Sequence, residues 1–248
     1  MHWPHPRIVA HRGGGTLAPE NTLAAIRKSR SLGFAAVEFD VMLAADGVPV
    51  LIHDETLERT TTGSGPVARM DSGSLAHLDA GRWFAPEFTG ETVPLFAEAA
   101  ALCIELCLWT NVEIKPAKGA ERATGRAVAA LAAELWRNAP SAPFLSSFSV
   151  EALEAARETA PSLPRALLMG EISREWRERL AALACVSLHC DYRKVTLKQV
   201  ESVREAGYAL LCYTVNEVET ARRLFAWGVD AIFTDRLDLF GPGFYGPP

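Results

Sequence analysis

Short apolar runs alternate with amphipathic stretches along most of the chain. Eight runs read as strands, being rich in β-branched and aromatic residues: IVAHR, AVEFDV, NVEIK, FLSSF, RALLM, VSLHC, ALLCYTV and AIFTD. Between most of them the apolar spacing turns helical. Thr196 is an N-cap signal for LKQVESVREA, with Leu197, Val200 and Val203 on one face and Gly207 at the end. EVETARRLFAW repeats the plan, with Val218, Ala221, Leu224 and Phe225 inward and Gly228 closing it. Strand and helix alternating eight times predict an α/β fold, a closed parallel TIM (β/α)8 barrel. An open doubly wound sheet gives similar alternation, so the count of eight carries the choice.

Two segments break the alternation. In VMLAADGVPVLIHD one strand runs into another through Asp46-Gly47, a two-residue hairpin signal, which places a β-hairpin after strand 2. From about 55 to 93 the chain is rich in Gly, Ser and Thr and poor in apolar periodicity. It reads as a small insertion over the barrel mouth, within a single domain spanning 1–248. The tail GPGFYGPP is too rich in Gly and Pro for a regular element.

Composition narrows the class. A hydrophobic share of 49% over 248 residues supports one large core, and a net charge of -5 with mixed signs argues against nucleic-acid binding. No apolar run reaches the ~18 residues that span a bilayer. The best run, AEAAALCIELCLW, is broken by Glu98 and Glu105, and MHWPHPR has no apolar leader region, so no membrane association and a cytoplasmic location are expected. The five cysteines show no CxxC spacing. Cys103 and Cys107, one helical turn apart, read as small core hydrophobes in a reducing compartment and not as a metal pair. Oligomeric state leaves no mark on the sequence.

In such a barrel, chemistry sits at the C-terminal ends of the strands. Those ends carry His11-Arg12, Glu38 and Asp40, Glu113 and Lys115, Ser147, His189, Asn216 and Asp235. Glu38 and Asp40 are two apart on a strand and share a face. Two acids there repel and lose hydration, so a positive partner is required. A polar pair on a strand usually marks a solvated face, but the other face of a barrel strand packs on helices. With Glu113 from NVEIKP, three carboxylates suit a hard cation that prefers oxygen, one Mg2+ or Ca2+. If Asp46 and Gly47 are the central turn residues, Asp40 opposes His53 and Glu38 opposes Glu55 across the hairpin. A lone histidine is more often structural, but that register brings His53 beside the acids, and His11 ends the adjacent strand. Two histidines flanking a cation suit general acid–base work near neutral pH. Arg12 and Lys115 can hold an anionic oxygen, and the glycines after Arg12 admit close backbone approach.

Taken together, AHRGGGTLAPENT, EFDV followed by VPVLIHD, NVEIKP, SSFS, YTVN and GVDAIFTD resemble, in order, the motifs of the glycerophosphodiester phosphodiesterase family. The likeness covers nearly the whole chain, and the start echoes the cytoplasmic bacterial branch associated with glycerol-phosphate uptake. It implies a TIM barrel and a divalent cation held by Glu38, Asp40 and Glu113. It implies catalytic His11 and His53, with Arg12 and Lys115 near the phosphate. Many relatives carry Trp where this chain has Tyr213, which bears on pocket shape and on no catalytic group. His189 and Trp83, the latter paired with Phe84, join as candidate pocket-lining residues for substrate, with core or lid packing as the alternative. The expected reaction is hydrolysis of a small glycerophosphodiester to sn-glycerol 3-phosphate and an alcohol. A lipase acting on intact lipids would want an apolar mouth, which the Gly- and Thr-rich insertion does not offer. A silent binding protein would be expected to lack one of the histidines or acids, and all are present.

Overall fold

The structure is a computed structural model that describes residues 3–241, 243 and 244. Of the tail expected to be irregular, positions 242 and 245–248 lie outside the described residues, as do 1 and 2. Nine strands and eight α-helices alternate in chain order among them. They are β1 (Ile8–Ala10), α1 (Leu23–Ser31), β2 (Ala36–Leu43), β3 (Pro49–Leu51), α2 (Ser72–Leu75), α3 (Phe96–Glu105), β4 (Trp109–Ile114), α4 (Glu121–Leu135) and β5 (Phe144–Ser147). There follow α5 (Val150–Thr159), β6 (Arg165–Met169), α6 (Trp176–Ala182), β7 (Ser187–Asp191), α7 (Leu197–Glu205), β8 (Ala209–Tyr213), α8 (Val218–Trp227) and β9 (Ala231–Thr234).

Eight of the strands close into a parallel barrel. β1 pairs with β9 through Val9 and Phe233 and with β2 through Ala10 and Val37, so the sheet meets itself. These are the eight strands expected from the pattern, and β3 is an antiparallel addition on β2. Side chains alternate in and out along each strand. The inward set includes Val9, Ala36, Trp109, Phe144, Ala166, Ala209, Leu211, Ala231 and Phe233, which pack together as the barrel core. The outward set, with Val37, Phe39, Val41, Leu145 and Leu188, packs on the helices. Both faces are dry, so the runs read as nearly unbroken apolar stretches.

The helix caps follow the expected chemistry. Thr196 Oγ1 accepts from the Gln199 amide, and Gln199 Oε1 accepts from the Thr196 amide at 3.0 Å. Gly228 ends α8 in the left-handed region at φ 103°. One assignment fails. Leu197 is 43% exposed, whereas Val200 and Val203 are buried. Each step of three residues rotates the side chain by about 60°, so centring the face on Val200 and Val203 leaves Leu197 at its edge. Cys107 also departs from expectation. α3 ends at Glu105, and Cys107 lies beyond it, exposed, at φ 55°. Cys103 is a buried core residue as expected.

The hairpin register differs from the expected one. Val41 pairs with Leu51, Met42 with Val50 and Leu43 with Pro49. The loop has three residues, 45–47, bracketed by the bond from the Ala44 amide to the Val48 carbonyl, and Gly47 takes the left-handed conformation at φ 79°. The extra residue slips the pairing by one. Asp40 therefore opposes Ile52, whose amide donates to the Asp40 carbonyl at 3.2 Å, and not His53. The segment that follows carries its own apolar cluster. Leu57, Val67, Leu75, Ala80 and Val93 pack on Met42, Ala44, Val50 and Ile52 of the hairpin.

Candidate active site

At the C-terminal end of the barrel His11, Arg12, Glu38, Asp40, His53, Asn111, Glu113 and Lys115 line one chamber of about 200 Å³. Its remaining wall is mostly apolar: Phe148, Leu168, Tyr213 and Phe233, with Thr214. Seven of the nine expected site residues meet here. Trp83 and His189 do not.

The acids come from two adjacent strands, with Asp40 directly opposite Glu113. Carboxylate oxygens of Glu38, Asp40 and Glu113 lie within 4.8 Å of one another. The Lys115 ammonium sits 3.4 Å from Asp40 and 3.6 Å from Glu113. Asn21 brackets Asp40, its Nδ2 donating to Oδ2 at 2.9 Å and its Oδ1 accepting from the Asp40 amide at 3.0 Å. Asp40 is held below the usual carboxylate range despite burial, because Lys115, His53 and Arg12 are cationic or polar neighbours and Asn21 donates to it. Its two companions go the other way. Burial, and then repulsion from Asp40, push Glu38 up to about 7 and Glu113 up to about 8. The cluster is thus short of positive charge, and every donor in it is a hard oxygen. These residues fit a divalent cation of the Mg2+ or Ca2+ kind.

Each histidine is braced by its own carboxylate. His11 Nδ1 donates to Asp235 Oδ1 at 2.7 Å, and Asp235 Oδ2 accepts from Asn216 at 3.0 Å. His53 Nδ1 donates to Asp54 Oδ1 at 2.6 Å. Both bonds fix the tautomer that leaves Nε2 unprotonated in the neutral ring. His11 Nε2 lies 3.9 Å from Glu38. Burial opposes the His11 cation, but the Asp235 bond and the charge of Glu38 outweigh it and raise the His11 pKa. His53 is lowered, since its burial outweighs Asp40 and Asp54.

Why β1 is followed by His-Arg and then glycines becomes clear from the backbone. Arg12 adopts φ 50°, uncommon for a side chain of its size. Its amide donates to Glu38 Oε2 at 2.8 Å, so the turn is tied to the acid cluster. Gly15, at φ 55°, lies where a Cβ would strike the Asp235 carbonyl. The chain can pass Asp235 only without a side chain there.

Sequence reasoning missed a chain of ion pairs. Arg12 Nη1 donates to Glu20 at 2.7 Å. Arg59, from the insertion, donates twice to Glu20 at 2.7 and 2.9 Å and once to Asp54 at 2.5 Å. The path His53–Asp54–Arg59–Glu20–Arg12 thus links a histidine to the Arg12 guanidinium. Asp54 was legible only as the neighbour of His53, and Asp235 and Asn216 only as polar strand ends.

The two outlying candidates have physical reasons for their placement. β7 continues past His189 to Asp191, so the histidine sits two residues below the strand end. It is fully buried against Phe233, neither ring nitrogen has a hydrogen-bond partner among the described residues, and burial pushes it down to about 3. It does not line the chamber. Trp83 lines a separate, wider depression with Phe84, Thr16, Glu20 and Asp235. Ser147 is structural, its hydroxyl donating to the Ile114 carbonyl at 2.6 Å.

Comparison with known proteins agrees with this geometry. Residues 11–239 match the glycerophosphoryl diester phosphodiesterase family. A glycerophosphodiester phosphodiesterase of Caldanaerobacter subterraneus subsp. tengcongensis is 34% identical over 92% of this chain and 93% of its own. A phosphodiesterase of Oleispira antarctica, solved in complex with the product sn-glycerol-3-phosphate, superposes with a TM-score of 0.88 at 36% identity, covering 93% of each chain. A glycerophosphodiester phosphodiesterase of Agrobacterium tumefaciens gives 0.81 at 32% identity, covering 95% of this chain and 99% of that one.

Proposed function

The chain belongs to the glycerophosphoryl diester phosphodiesterase family, and from that premise we propose that its barrel mouth hydrolyses small glycerophosphodiesters to sn-glycerol 3-phosphate and an alcohol by a two-histidine mechanism. The observation that carries the mechanism is the pair of carboxylate-braced histidines in one chamber with the acid cluster. A site that only bound a phosphodiester would need the cations and not the two bases.

Glu38, Asp40 and Glu113 would hold one divalent cation, Mg2+ or Ca2+. When bound, it supplies Lewis-acid stabilisation of charge on the phosphoryl oxygens. Arg12 and Lys115 flank the cluster and neutralise the remaining anionic oxygen. The apolar wall of Phe148, Leu168, Tyr213 and Phe233 excludes water from the glycerol side. His53, whose lowered pKa keeps it neutral near pH 7, takes at Nε2 a proton from the water that attacks phosphorus. His11, whose raised pKa and Asp235 partner favour the cation, gives a proton to the departing alkoxide. Among the described residues no helix is long and apolar enough to cross a membrane, and the likeness of the opening motif to the cytoplasmic bacterial branch supports a cytoplasmic location.

The test of the roles is a substrate with an activated leaving group. A nitrophenyl ester of sn-glycerol 3-phosphate needs little protonation on departure. It should restore most of the turnover lost in His11→Ala and little of that lost in His53→Ala. Equal rescue of both, or rescue of His53→Ala alone, would refute the assignment.

A further inference from the structure

The space around His11 does not end at the chamber. His11, Arg12 and Thr214 line both the chamber and the wider depression of about 480 Å³ that holds Trp83. The two spaces therefore border one another, with the histidine between them. A phosphodiester has two ester arms. On the reading above, the glycerophosphate arm fills the small, half-apolar chamber. Because His11 is its proton donor, the leaving arm is placed in the depression and not in the space of about 550 Å³ that shares Glu113, Lys115 and Phe148 with the chamber.

The far wall of that depression is built and not incidental. Trp83 is 40% exposed, yet its loop is tightly braced. Asp79 Oδ1 accepts from the amides of Gly81 and Arg82 at 2.9 and 2.8 Å, and Oδ2 accepts from Gly90 at 2.8 Å. Trp83 Nε1 donates to the Ala80 carbonyl at 2.8 Å. The indole stands edge-on to Phe84, with centroids 5.7 Å apart, and Phe84 in turn stands on Phe88 at 5.5 Å. An indole fixed in water beside a reaction chamber is a preformed contact surface.

We propose that this depression is the headgroup subsite, and that it favours alcohols bearing an ammonium group. Indole is the strongest cation–π partner among side chains. The wall also carries two carboxylates, Glu20 and Asp235. Its cations, Arg12 and the protonated His11, are each already faced by a carboxylate, Glu20 and Asp235, so the lining carries no net positive charge. The larger, more open space suits the variable arm of the substrate, and the enclosed chamber suits the constant one.

The experiment compares kcat/KM for glycerophosphocholine, glycerophosphoethanolamine and glycerophosphoglycerol in wild type, Trp83→Ala and Trp83→Phe, with product inhibition by sn-glycerol 3-phosphate measured alongside. Trp83→Ala should lower kcat/KM for the choline ester about three- to thirtyfold, the span of cation–π contacts from half-exposed to desolvated. The uncharged glycerol ester should change less than about twofold, and inhibition by sn-glycerol 3-phosphate should not change. Trp83→Phe, which keeps an aromatic face, should retain most of the choline preference. A loss equal on all three substrates, or no loss on any, overturns the subsite. Weakened inhibition by sn-glycerol 3-phosphate overturns the division of the two arms. If wild type turns over none of the three, the underlying reading of the chamber has failed instead.

Discussion

Acidification should weaken divalent-cation binding by several hundredfold between pH 8 and pH 6. Burial, followed by the charge of Asp40, pushes Glu38 up to about 7 and Glu113 up to about 8 in the cation-free protein. A cation needs both carboxylates ionised. With those values the doubly ionised fraction falls from roughly one-half at pH 8 to about one in a thousand at pH 6, and the apparent affinity falls with it. Near pH 6 binding should release almost two protons. The assay is titration calorimetry with Mg2+ and with Ca2+ in two buffers of different ionisation enthalpy, which counts the protons directly. Glu113→Gln removes one titrating group and should halve the slope of log affinity against pH. An affinity flat from pH 6 to 8, with no proton release, would show that both acids are ionised without a cation, and the argument from burial and repulsion would fail. The same shifts set the stability of the cation-free protein. Each raised carboxyl binds its proton more tightly folded than unfolded, so its stabilisation is present at low pH and is lost as pH rises from the ordinary range through about 7 and 8. The melting temperature should therefore fall from pH 6 to 9 without a cation and recover when one is added.

Arg59→Ala removes three hydrogen bonds to Glu20 and Asp54 and so unties His53 from Arg12. Because Arg59 is 44% exposed, the stability cost should stay within about 1 kcal/mol, while kcat falls about tenfold or more and is partly restored by added guanidinium; wild-type kcat in this variant would show that the network does not position the histidine. Gly15→Ala drives a Cβ into the Asp235 carbonyl at a left-handed position, and should cost about 1–3 kcal/mol in thermal melts together with a drop in kcat as Asp235 leaves His11. An unchanged melt would show that the turn absorbs the side chain.

The parts of this site that the sequence revealed are those set by a regular period. Glu38 and Asp40 share a face because strands alternate, and Glu113 meets them because parallel neighbours keep register. His53 reached the chamber by a different route from the one reasoned. A three-residue turn slipped the ladder by one, and β3 stops at Leu51, so His53 lies beyond the strand and is not bound by its alternation. His189 was misplaced because the pattern does not say where a strand ends: two more residues of β7 bury it. Glu20, Asn21 and Arg59 were invisible for another reason. They sit on irregular segments whose partners are fixed by tertiary contact, Arg59 reaching Glu20 across 39 positions of sequence. No local periodicity encodes such a pair. Trp83 was named with Phe84 as a candidate pocket-lining residue, but only the folded chain showed which space it faces.

The central claim is that His11 and His53 together carry out phosphodiester hydrolysis in the chamber beside Glu38, Asp40 and Glu113. Phosphorus NMR of glycerophosphocholine with wild type, His11→Ala and His53→Ala, each saturated with divalent cation, tests it most directly. Wild type should convert the diester to sn-glycerol 3-phosphate, and each variant should do so about 10²–10⁴-fold more slowly. Conversion by either histidine variant at the wild-type rate would contradict the account.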